Sequence, residues 1–361
     1  MLPRSSWNRL WKNPLDAEDA FCRRWCVRAV RRVVRPFAIP GCIPDVTDDH
    51  SSSRSTFAGA GFALLTLAGW SSVPLFLKHF TALTDPWTMN GWRYSFSAGV
   101  WFPFLLLAYW RGHLPPRFWK LALLPAAVNS FGQTCFAHAP YFIDPALLTF
   151  MLRLQIVFVA LGAYLLFPTE RVLIRSLRFW IGVSLAFFGS IGVGLLGREW
   201  PTGTTLWGML LGVMAGMGFG AYSMSVRYFM HGINPILSFA MISLVTSSVL
   251  IPMMFLLGTD AGWGPLTFSW QDFILLMLSA LVGIALAHVA YYAAIARLGV
   301  TVAAGLILLQ PFMTGLGSFF WFHERLTVAQ WMSGIAAVLG AGLMLMTQHA
   351  LLRRARREAS S

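Results

Sequence analysis

Six polar side chains fall inside stretches that are otherwise apolar: Gln133, Gln155, His288 and Gln310 near the middle of theirs, Arg93 and Arg153 nearer one end. In hydrocarbon each must find a partner or face water. Arg offers a bidentate fork that fits a carboxylate or phosphate. The amides can orient a polar solute, and His288 is the only group at mid-depth that titrates near neutral pH. Phe136, Tyr291 and Tyr292 flank these residues and could supply apolar walls. Each glutamine alone is also explained by an interhelical hydrogen bond worth roughly 0.6 kcal/mol. As a group they point to a binding site rather than to catalysis, because no nucleophile with a base, paired carboxylates or metal cluster stands at depth. No catalytic residue, metal or cofactor is expected, and an intramembrane enzyme is the weakest reading.

The elements that must carry these residues follow from composition. Of 361 residues 57% are hydrophobic and only 11% are charged; soluble chains carry about 25% charged residues. Mean hydropathy is +0.63. Apolar stretches long enough to cross a hydrocarbon layer succeed one another, at 57–79, 86–110, 119–142, 145–167, 177–197, 204–226, 235–258, 272–296, 299–322 and 329–348. The expected fold is therefore an all-α integral membrane protein with ten transmembrane helices. With both termini cytoplasmic, 22 Lys/Arg fall inside and three outside (Lys78, Arg198, Arg325), a positive-inside bias. The net charge of +13 thus reports orientation in a plasma (cytoplasmic) membrane, and nucleic acid is excluded as a partner. Arg93 and Arg153 each lie eight residues into an inward-running span, on the order of 10 Å below the outer surface, with Lys78 and His138 beside them.

An internal repeat organises the spans. "LQIVFVALGAYLLFPTER" (154–171) returns in outline as "LQPFMTGLGSFFWFHER" (309–325). A shift of 155 sets Gln133 on His288, Phe136 on Tyr291 and Gln155 on Gln310, and a shift of 149 sets "KHF" (78–80) on "RYF" (227–229) and Asp85-Pro86 on Asn234-Pro235. The unit is five spans, 57–197 and 204–348. Five is odd, so the copies enter the membrane from opposite sides, as two inverted five-helix repeats. Span six carries Gly208, Gly212, Gly216 and Gly220, a flattened face that close helix packing explains. Glu170 and Glu324, beside Arg171 and Arg325, read as solvated span ends or interface pairs.

Outside the repeats, residues 1–56 form a basic cytoplasmic tail. Phe21 to Phe37 has an arginine stripe and an apolar stripe suited to a membrane interface, followed by a polar linker, and 349–361 form a second basic tail. The four cysteines give no disulfide framework.

Ten spans in a five-plus-five repeat, Lys78 closing span one, Arg93 in span two and a Glu closing spans four and nine ("PTER", "HERLT") resemble the drug/metabolite transporter superfamily, in particular its EamA-type permeases, over residues 57–348. The resemblance implies a secondary transporter, an exporter of amino acid-like or drug-like metabolites. Its implied partners are a small-molecule solute and the lipid bilayer, with a homodimer left open. A nucleotide-sugar or phosphosugar carrier of the same superfamily is the alternative, since Arg and Lys suit phosphate. The tail of residues 1–56 is longer than the resemblance leads one to expect.

Overall fold

The computed structural model describes residues 53–143, 148, 151–195, 206–313 and 327–360, and no strand occurs among them. We label the main helices α1 (Ser53–Phe80), α2 (Pro86–Trp110), α3 (Phe118–His138), α4 (Met151–Leu166), α5 (Leu177–Leu195), α6 (Leu206–Phe229), α7 (Pro235–Leu257), α8 (Trp270–Leu298), α9 (Val300–Met313) and α10 (Val328–Ser360). Among the described residues five segments are long and apolar enough by themselves to cross a membrane: Phe57–Leu77, Leu206–Phe229, Pro235–Leu257, Trp270–Leu298 and Val328–Leu351. α4 turns through 117° into Pro168–Ile174, and counts as a sixth only if that bent pair is one span. α5 and α9, whose apolar stretches Leu177–Gly189 and Val300–Met313 are shorter, lie outside this set, as do α2 and α3. Asn90 and Arg93, and Asn129 and Gln133, interrupt their apolar runs, and all four are buried. The burial pattern is inside out for a soluble protein: Leu64, Leu65, Phe102, Phe104 and Leu256 are exposed while these polar groups are enclosed.

The repeat is visible in how helices begin. Asp85 caps α2, its carboxylate accepting from the Trp87 and Thr88 amides with Pro86 at the first turn, and Asn234 caps α7, accepting from the Ile236 amide with Pro235 at the first turn. Both pairs satisfy orphan donors and preset the first helical φ.

The repeat is visible again in the packing. α1 packs on α8 and α6 on α3; α2 packs on α7, α4 on α9 and α5 on α10. Moving every element five places along converts the first pair into the second and leaves the other three unchanged. The packing of the two halves is thus consistent with the repeat. The glycine face of α6 lies against α4 and the segment before it: a Cβ on Gly208 would stand 2.6 Å from Ile143 Cγ2, and one on Gly212 2.8 Å from Met151 Cβ. Close helix approach thus accounts for that face.

One expectation is corrected. Glu170 is not a solvated end: it is buried, and its two oxygens accept from the Val300 amide at 3.0 Å and the Thr301 amide at 2.9 Å. A first-repeat carboxylate thus caps α9 of the second, where negative charge meets the helix dipole. Gly299 makes room for it with φ +81, since a Cβ there would lie 2.7 Å from Glu170 Oε1. Glu324 and the segment Phe21 to Phe37 lie outside the described residues.

Candidate functional site

A cavity of about 70 Å³ opens between the halves. α1 contributes Trp70 and Val73, α2 Arg93, α3 Gln133 and Phe136, and α4 Leu152, Arg153 and Gln155. From the second half come Phe219, Tyr222 and Ser223 of α6, Gly283, Ile284, His288 and Tyr291 of α8, and Ile307 and Gln310 of α9. Eight of the nine residues singled out in the sequence are therefore brought to one space. Tyr292 is not; its hydroxyl bonds that of Tyr222 and its ring meets Phe239 at 5.8 Å, behind the cavity. His138 also stands elsewhere, its ring 4.4 Å from Trp87.

Most of the lining obeys the repeat. The shift of 155 pairs Gln133 with His288, Phe136 with Tyr291, Leu152 with Ile307 and Gln155 with Gln310, and the shift of 149 pairs Trp70 with Phe219 and Val73 with Tyr222. Trp70, Phe219 and Tyr222 escaped the sequence reading, although extending the 149-residue match back into the first and sixth stretches would have found them. The two cations break the symmetry: their counterparts under the same shifts are Ile242 and Leu308, both fully buried.

The polar groups are fixed to different degrees. Arg153 Nη1 donates to Ile307 O at 2.6 Å and Nη2 to Gln310 Oε1 at 2.8 Å. Gln310 Nε2 in turn donates to Trp70 O at 2.7 Å. This chain of bonds ties α4 to α9 and α9 to α1, so it joins the halves. Arg93, 2% exposed, is held differently: its Nε is buried with no hydrogen-bond partner. His288 Nδ1 lies 3.0 Å from Ile284 O, and its ring stacks on Phe239 at 5.1 Å and meets Trp70 edge-on at 5.2 Å. Nε2 is then the nitrogen left for other partners.

A break in α8 shapes this wall. Leu281–Leu286 is a π turn, a feature that frees backbone groups and recurs at functional sites. The Ala285 carbonyl accepts from Trp101 Nε1 at 3.0 Å and the Ala287 carbonyl from Thr66 Oγ1 at 3.3 Å. Phe136 and Phe219 meet edge-on at 5.7 Å across the halves, and Trp70 lies 4.8 Å from Tyr291. Chemically the site offers aromatic area, three amides, one imidazole and two guanidiniums, which is the make-up of a binding pocket.

A family model described as "EamA-like transporter family" matches residues 57–195 and again 206–346. No curated protein matches the chain. Among solved structures 28 chains match. One, described only as "Crystal structure of protein", has 16% sequence identity, a TM-score of 0.66, and coverage of 83% of this chain and 98% of its own. At that identity the likeness is one of fold.

Proposed function

From the premise that this chain belongs to the EamA-like transporter family, we propose that it is a secondary transporter exporting a small polar or amphipathic metabolite, amino acid-like or drug-like, by alternating access. In this reading it crosses the plasma membrane ten times, as two inverted five-helix repeats with both termini cytoplasmic. The observation that carries it is the paired lining of the cavity, six positions from each half at matched places in the repeat. A site on a two-fold seam can open to one face or the other as the halves tilt, without the solute changing its contacts much. Gln133, Gln155, His288 and Gln310 would orient the solute, Phe136, Tyr291, Trp70 and Phe219 would enclose it, and Arg93 and Arg153 would set its charge.

The two arginines also suit a phosphate, as the nucleotide-sugar alternative needs. A cavity of about 70 Å³ favours the smaller solute, because drug-sized ligands occupy sites of roughly 300–1,000 Å³. Counterflow into proteoliposomes of labelled amino acids, small carboxylates and nucleotide sugars tests the choice. Saturable exchange is expected for a small metabolite. Exchange confined to nucleotide sugars would overturn the preferred reading, and no exchange of any solute would overturn both.

A further inference from the structure

We propose that the cavity selects a small organic carboxylate, held by the guanidinium of Arg93. The proposal rests on the transport reading and narrows its substrate class.

Arg93 lines the cavity, is 2% exposed, and keeps Nε buried without a hydrogen-bond partner. Arg153 is engaged across the halves by neutral acceptors, Ile307 O and Gln310 Oε1. Among the described lining residues there is no Asp or Glu. Arg93 therefore faces the cavity with no negative charge brought by a described residue of the lining. An enclosed charge without a counter-charge is costly, and a bound anion removes that cost. A guanidinium donates two parallel N–H bonds that match the two oxygens of a carboxylate.

The wall opposite packs close against Arg93. Gly283, in the π turn of α8, has no Cβ; one built there would lie 3.5 Å from Arg93 Nη2 and 2.6 Å from Val73 Cγ2. The size of the solute follows from the volume. About 70 Å³ admits on the order of five water-sized atoms, at roughly 10–15 Å³ each. An amino acid fits less well than a simple acid, because its ammonium would meet the Arg93 guanidinium and no carboxylate among the described lining residues.

Propionate and propionamide, equal in heavy atoms and unequal in charge, are the probes. Equilibrium binding to the purified full chain should favour propionate by about tenfold or more, since hydrogen bonds to a charged group are worth roughly 1.5–3 kcal/mol. Alanine should bind more weakly than propionate. Arg93→Lys, which keeps the charge and loses the fork, should weaken propionate binding several-fold, and Arg93→Gln should abolish the preference for acid over amide. Ligand-free Arg93→Gln should melt no lower than wild type, because an unpaired enclosed charge has been removed. Equal affinity for acid and amide, or propionate affinity in Arg93→Gln within twofold of wild type, would overturn the proposal. Should Arg93→Gln fail to fold, the wild-type comparison of acid with amide still decides. Propionate binding without exchange across vesicles would support this inference while counting against transport. Equal exchange of acid and amide would end this inference and leave transport standing.

Discussion

Gln155 and Gln310 occupy matched positions in the repeat and line the same cavity, yet they carry different loads. Gln310 accepts from Arg153 Nη2 and donates to Trp70 O, so replacing it removes partners from two buried groups. Gln310→Leu should therefore lower the melting temperature, by the equivalent of about 1–3 kcal/mol per group left unsatisfied, and weaken solute binding with it. Gln155→Leu should weaken binding while melting as wild type does, and calorimetry with a binding isotherm on both variants checks the contrast. The pairing of these glutamines was legible in the sequence, because a duplicated unit repeats its polar exceptions. The difference between the arginines was not. Arg153 and Arg93 sit at the same depth of their stretches, but the partners of Arg153 are a backbone carbonyl and an amide more than 150 residues away. Nothing near Arg93 in sequence announces that its Nε goes unpaired.

Two carboxylates act on whole helices. Glu170 caps the start of α9 from the other half, so Glu170→Ala should destabilise the fold by about 1–3 kcal/mol, with two enclosed amides left open. Glu170→Gln, which keeps one acceptor, should cost less, and thermal melting of the pair measures the gap. Asp85 caps α2 and also accepts from the Thr259 amide at 2.9 Å, just past the end of α7. Burial acts to raise its carboxyl, but bonds from the Thr88 hydroxyl and amide and from the Thr259 and Trp87 amides hold it below the ordinary value. A folded-state value below the unfolded one, about 3.9, means that the stabilisation is complete above that pH and is lost as pH falls through the lower folded value. Asp85→Ala should thus melt lower than wild type at neutral pH, with the gap closing only below about pH 4. The Asp85-Pro86 and Asn234-Pro235 starts could be read directly, since a cap and its proline are adjacent. Glu170 could not, because its partner amides lie 130 residues away and only the folded chain brings them together.

At the scale of the molecule, the repeat joins sequence, packing and cavity. That the chain holds two repeats was legible from its repeated motifs, and the family model matches it twice. The count of spans is harder to read by hydropathy, because α2 and α3 turn polar side chains inward and α4 bends through 117° at its end. The proposed orientation rests on charge: reporters fused after Arg111, Trp200 and Ala350 should read inside, outside and inside, and an outside reading at Ala350 would sink the ten-span arrangement. The charge asymmetry, with both cations on the first half and Ile242 and Leu308 opposite them, marks where the copies have diverged within a shared frame. The central claim is that solute crosses through the cavity on the seam. Counterflow of labelled solute into proteoliposomes holding wild type or Gln155→Leu tests it most directly. The account predicts saturable exchange by wild type and a several-fold rise in the half-saturating concentration for the variant at equal incorporation and melting temperature, whereas identical exchange curves for the two proteins would contradict it.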